Sequence, residues 1–152
     1  MDFTHDFTVP QPIEDAWTTI LALERVIPLV PYTTVIEGSG SKVTARIAIR
    51  FGAVSMTYTG GAEIVERDDQ AHRAVMKATA RQNGGRSCVA ARVEIQLMPN
   101  GASTTGRLVS TVNVPALGPQ TGMATINRTT EQMIRTFAEN IATLSPASPL
   151  AA

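Results

Sequence analysis

Cysteine occurs once, at Cys88, which excludes an internal disulfide and any cysteine-built zinc site. Charge is sparse. Only 17% of residues are charged, and thirteen basic side chains cancel thirteen acidic ones. That neutrality removes the electrostatic drive toward nucleic acid or toward general adsorption on an anionic membrane. No apolar run approaches the roughly 20 residues that a membrane span needs. The first residues are acidic and strand-like, so the expectation is a chain without a signal peptide, in the cytoplasm. Catalytic signatures are missing too: no H-E-x-x-H, G-x-S-x-G, P-loop or G-x-G-x-x-G occurs. The two histidines, His5 and His72, fall on apolar strand faces without acids at ligand spacing, which reads as core or rim histidine and not as a metal site. Asp68-Asp69 reads as a solvated hairpin tip, and Cys88 as an outward-facing bystander.

What the chain does have is alternation. Its 152 residues are enough for one domain with a real core. "FTHDFTV" (3–9) puts Phe3, His5, Phe7 and Val9 on one face of a strand. Pro10 and Pro12 end it, and 12–23 reads as a helix with acids in its first turn, followed by a short helical piece over 24–31. Strands are then expected at 33–37, 42–51, 54–66, 71–81, 87–97 and 104–114, joined by short turns as an antiparallel meander. Gly60-Gly61 would let the third of these coil sharply. Pro119 to Leu144 repeats apolar residues at three and four, with Gly118 as cap. At 1.5 Å per residue this helix would span about 39 Å, close to the about 35 Å of the longer strands. The fold class is therefore α+β: a curled antiparallel sheet of about seven strands around one long C-terminal helix, with two short helices after the first strand. The domain is expected to occupy 1–144, with 145–152 a mobile Pro/Ala tail or the start of a linker.

In a meander alternate turns share an end. One end collects "VIPLVP", "FGA", "QNGG" and "VPALGPQTG", apolar and glycine-rich, while the turns at the other end are polar. The first set reads as the rim of an opening, with Leu29, Val30, Phe51, Ala53, Gly84, Ala116 and Leu117 around it; the alternative is that these loops pack together and plug the core. The inward faces favour an opening. Ala45, Ala62, Ala74, Ala78, Ala80, Ala91 and Ser110 are small, and Met56, Met76, Met123 and Met133 are flexible. Alternate alanines cannot fill the space under a helix, so either the helix closes on them or a ligand occupies the gap. The expected ligand-contacting residues are Phe51, Met56 and Tyr58 from the first hairpin, and Met76, Ala78, Ala91 and Val93 from the central strands. Leu108, Ser110 and Val112 would join them from the last strand, and Leu117, Met123, Ile126, Asn127 and Thr130 from the loop and helix. Tyr58, Ser110, Asn127 and Thr130 could orient a ligand head but make a poor acid–base set.

The segments "FTVPQPIEDAWTTILALERVIPLVP", "GAVSMTYTGGAEIVERDDQAHRAVMKATA" and "TTGRLVSTVNVPALGPQTG…MIRTFAENI" together resemble the carbon monoxide dehydrogenase G-subunit family, within the START-like (SRPBCC) helix-grip superfamily. The resemblance covers about residues 3–144 and rests on Pro10, Trp17 and Pro28, on Gly60 or Gly61, and on Phe137-Ala138-Glu139-Asn140. It departs from the family at Pro31-Tyr32, where members have Pro-Gly. The resemblance implies a helix-grip fold and a hydrophobic cavity under the long helix, with no catalysis and no covalently bound cofactor or metal. The implied ligand is a lipid such as a respiratory quinone, menaquinone in particular. The implied partner is a molybdenum-containing carbon monoxide dehydrogenase or related hydroxylase, served by quinone delivery or membrane recruitment. A peripheral place at the inner membrane face is implied only for members with an anchoring tail. An adaptor with a packed core, or a small-molecule cyclase or hydratase of the same superfamily, are the alternatives.

Overall fold

A computed structural model gives the structure of the protein and describes residues 2–39, 41–114 and 122–144. The expectations for Ala116, Leu117, Gly118, Pro119 and the 145–152 tail lie outside these residues. Strand β1 (Asp2–Val9) leads through Pro12, whose φ of −60° suits the entry to a helix, into α1 (Ile13–Leu21). Glu14 and Asp15 lie in the first turn of α1, where their charge opposes the helix dipole. Ala16, Trp17, Thr19 and Ile20 form its buried face. A second short helix α2 (Leu23–Val26) and a 3-10 turn (Ile27–Leu29) carry the chain to the meander. Its strands are β2 (Thr33–Gly38), β3 (Lys42–Phe51), β4 (Val54–Asp68), β5 (Arg73–Gln82), β6 (Cys88–Asn100) and β7 (Ser103–Asn113). The long helix α3 (Met123–Ala142) closes the fold.

All seven strands form one antiparallel sheet in the order β1-β7-β6-β5-β4-β3-β2. The meander is as the turn spacing predicts, and β1 completes it by pairing with β7. Bulges at Val35/Glu37 and Ile64/Glu66 add curl. Helix α3 packs across the concave face against β1, β3 and β7 and against the 3-10 turn. Asn140 Nδ2 donates to the Leu29 carbonyl at 2.9 Å and fixes that turn to the helix. Gln11 Nε2 donates to the Leu144 carbonyl and ties the helix end to the exit of β1.

Several local expectations are corrected. The helix begins at Met123, capped by Gly122, and its 20 residues span about 30 Å, less than expected. His72 stands in the turn before β5 with φ +52° and is not a strand residue. Its ring packs edge-on against Trp17, and its Nε2 is 2.9 Å from Glu14 Oε1. Asp69 is more than a solvated tip. It accepts from Trp17 Nε1 at 2.9 Å and from Arg67 Nε at 2.7 Å, so it clips α1 to the β4–β5 hairpin.

Candidate functional site: an apolar cavity under the long helix

Cross-strand pairing gathers the small residues into two adjacent rows on the concave face. One row runs Ala62, Ala78, Ala91, Val112; the next runs Ala45, Gly60, Ala80, Val89. Gly60 cannot be enlarged, because a Cβ there would lie 1.9 Å from the Thr79 carbonyl oxygen. Short side chains in neighbouring rows do not reach the residues that α3 lowers toward them, Thr130, Met133, Ile134 and Phe137. A cavity of about 210 Å³ results. Ile47, Ile49 and Phe51 wall one end; Met76, Val93 and Ser110 wall the other, and Ile27 and Val30 close a side. The cavity divides the core. The larger hydrophobic cluster holds Trp17, Leu97, Leu108 and Phe137, and the smaller holds Phe51, Tyr58, Val114 and Ile126.

Among the described residues, no charged or histidine side chain lines the cavity. Four hydroxyl residues do line it. Thr79 turns its side chain to the exposed face of the sheet, Thr33 donates to the Pro31 carbonyl at 3.4 Å, and Thr130 donates to the Ile126 carbonyl at 2.8 Å. Ser110 is fully buried, and its Oγ has no hydrogen-bond partner among the described residues. The perturbed carboxyls are elsewhere, in surface ion pairs. Hydrogen bonds from Arg107, Arg67 and Arg73 hold Asp6, Asp69 and Glu94, respectively, below the usual carboxylate range. Among the described residues no group of His, Cys, Asp and Glu could hold a metal ion, and no helix is long and apolar enough to cross a membrane.

Of the residues expected around a ligand, Phe51, Met76, Ala78, Ala91, Val93, Ser110, Val112, Thr130 and Val30 line this cavity. Others do not. Tyr58 and Met56 point the same way but pack into the smaller cluster, where the Tyr58 hydroxyl lies 3.3 Å from Ser87 Oγ and 3.2 Å from Met56 Sδ. Ile126 joins them one helical turn short of Thr130. Leu108 lies beyond Ser110, inside the larger cluster. Met123 is 54% exposed because it is the first residue of α3, and Asn127 is exposed because it follows the buried Ile126 by one position on the helix. Of the rim residues, Leu29 packs into the larger cluster, while Ala53 and Gly84 project from exposed turns. Among the described residues, the smaller cluster occupies part of the end of the sheet where the turns suggested an opening.

Ile27, Thr33, Ala45, Ile47, Ile49, Gly60, Ala62, Ala80, Val89, Val114, Met133, Ile134 and Phe137 also line the cavity, beyond the expected ligand contacts. For most, the signal was available: they share the period of two or of three to four with Ala78 and Thr130. Depth along the element was the missing information.

Residues 6–144 match the sequence model of a family described as CoxG, the G subunit of carbon monoxide dehydrogenase. A search of the curated proteins finds no significant match. Among solved structures, a conserved protein from Geobacillus kaustophilus is similar with a TM-score of 0.67 and 15% identity, over 93% of this chain and 95% of that one. The Zhui aromatase/cyclase from Streptomyces sp. R1128 matches with a TM-score of 0.61 and 13% identity, over 93% and 91%. Norcoclaurine synthase from Thalictrum flavum matches with a TM-score of 0.58 and 16% identity, over 93% and 84%. These likenesses establish the helix-grip fold and nothing finer.

Proposed function

Because the chain belongs to the CoxG family of carbon monoxide dehydrogenase, we propose that it is a non-catalytic carrier that holds a hydrophobic, lipid-like ligand in the cavity beneath α3. The observation that carries this reading is the pair of small-residue rows, Ala62-Ala78-Ala91-Val112 and Ala45-Gly60-Ala80-Val89. Sealed and empty, a volume of this size would cost about 5 kcal/mol at ~24 cal/mol per Å³, which is near the lower end of a whole domain's stability. Side chains as large as those elsewhere in the sheet would abolish that cost, so the alanines are most simply explained by an occupant. Walls without titratable groups support binding over acid–base chemistry.

The ligand we propose is a respiratory quinone of the menaquinone type, delivered to a molybdenum-containing carbon monoxide dehydrogenase or a related hydroxylase. At about 210 Å³ the cavity is smaller than the ~300–1,000 Å³ of ordinary small-molecule sites. It suits a ring or a short length of chain, and a prenyl tail would extend past its walls. Recruitment of the dehydrogenase to the membrane would use a surface or tail outside this cavity.

Native mass spectrometry of freshly purified protein, followed by organic extraction, tests the reading. A discrete apolar adduct is expected, lost in Ala78→Trp and Ala91→Trp while the fold is kept. Full retention of the adduct in both variants would remove the cavity from the proposal. Protein that stays clean after incubation with menaquinone, yet still binds the dehydrogenase, would replace the carrier by an adaptor.

A further inference from the structure

Ser110 stands on the concave face of β7, directly between Phe3 of β1 and Val93 of β6. It is fully buried, it lines the cavity, and its hydroxyl has no hydrogen-bond partner among the described residues. Buried polar groups are nearly always paired, so an orphan asks for an explanation. The strand itself offers little help, because β7 is central and its backbone is engaged by β1 on one side and β6 on the other. A water is a poor substitute, since an ordered water wants two to four polar partners and the neighbouring walls are apolar.

The other hydroxyls that face the cavity are committed. Thr130 donates its proton one turn back along α3, and Thr33 donates to the Pro31 carbonyl. Their oxygens can only accept. Ser110 alone among these retains a proton to give. Its position also has a direction: it shares the cross-strand row of Val93 and Met76, at the end next to the larger cluster, whereas Ile49 and Phe51 wall the opposite end.

We infer that Ser110 donates the one directional hydrogen bond to a molecule bound in this cavity. That molecule is then apolar with a hydrogen-bond acceptor, a carbonyl or ether oxygen, at the end lying against β7. A pure hydrocarbon leaves the hydroxyl orphaned, and a cation or carboxylate finds no counter-charge. The inference rests on the carrier reading and adds to it the chemical class and orientation of the ligand.

Two probes of the same shape separate the possibilities: acetylnaphthalene, which carries a carbonyl, and isopropenylnaphthalene, in which a methylene replaces that oxygen. Their dissociation constants are measured for the unaltered protein and for Ser110→Ala. Loss of the hydroxyl is expected to weaken the ketone about tenfold, the worth of an ordinary hydrogen bond, and to leave the hydrocarbon unchanged. Thermal melts serve as the fold control, and Ser110→Ala should melt no lower than the parent. Equal effects on the two probes, or none on either, overturn the inference while the cavity stands as a binding site. Failure of both probes to bind the unaltered protein overturns the inference together with the carrier reading.

Discussion

Ala78 on β5 lies directly across from Ala91 on β6, and the two methyl groups floor the cavity where larger side chains would meet the helix. Substituting leucine for either should fill part of that space. About three added methylenes at ~0.8 kcal/mol each give an upper limit of roughly 2 kcal/mol in stability. The expected outcome is a higher urea midpoint for Ala78→Leu and Ala91→Leu, with loss of any copurifying apolar molecule. A marked drop in midpoint would mean the space is closed in solution.

Gly60 is the opposite case. Its backbone approaches Thr79 so closely that even a methyl group collides with a main-chain oxygen. Gly60→Ala should cost at least about 2 kcal/mol, since the new methyl would meet the Thr79 oxygen and the Cα and Cβ of Ala80, none of them a flexible side-chain end. Equilibrium denaturation measures it.

Tyr32 holds φ +60°, in the left-handed region, and is 80% exposed. A backbone in this region favours glycine, which has no Cβ to crowd it. Relief of left-handed strain, roughly 1–2 kcal/mol, exceeds the entropy cost of glycine, roughly 0.5–1 kcal/mol. Tyr32→Gly should therefore stabilise by about 0.5 kcal/mol, and Tyr32→Val should destabilise by about 1 kcal/mol. Paired thermal melts decide the order of the three proteins.

Glu94 accepts a two-pronged hydrogen bond from Arg73, both arms at 3.0 Å, which pulls its carboxyl below the ordinary range; Asp69 and Asp6 are lowered in the same sense by Arg67 and Arg107. A carboxyl lowered in the folded state contributes stability that is complete above its unfolded value. That stability is lost as pH falls through the folded one. The urea midpoint should hold between pH 7 and 5 and decline below about pH 4. Arg73→Met should make that decline shallower, and an unchanged slope would dismiss the pair as a contributor.

The strands and their inward faces were legible because a period of two survives wherever one face is buried, and the turns between them are short enough to force antiparallel neighbours. The cavity was legible for a narrower reason: Ala78 and Ala80 on one strand cannot reach a helix, whereas Ala74, expected with them, packs into the larger cluster. Depth was not legible. Tyr58, Leu108 and Ile126 share a face with true wall residues, yet each lies a residue pair or a helical turn away from the cavity, and periodicity is blind to that distance. Ser87, the contact of the Tyr58 hydroxyl, is expected as the first residue of the strand at 87–97 but stands in the connection before β6, where the period of two no longer says which way a side chain points. Asp69 shows the same limit, since its bond to Trp17 joins residues 52 positions apart.

The split core also has a mechanical consequence. A volume filled by no side chain disappears when the chain unfolds, so the unfolded state is the more compact in molar volume and hydrostatic pressure favours it. A guest that fills the gap cancels that advantage. Compression thus becomes a gauge of occupancy that works before the guest has been identified: the loaded protein should yield at higher pressure than the stripped one, and Ala78→Leu should behave like the loaded form even when stripped.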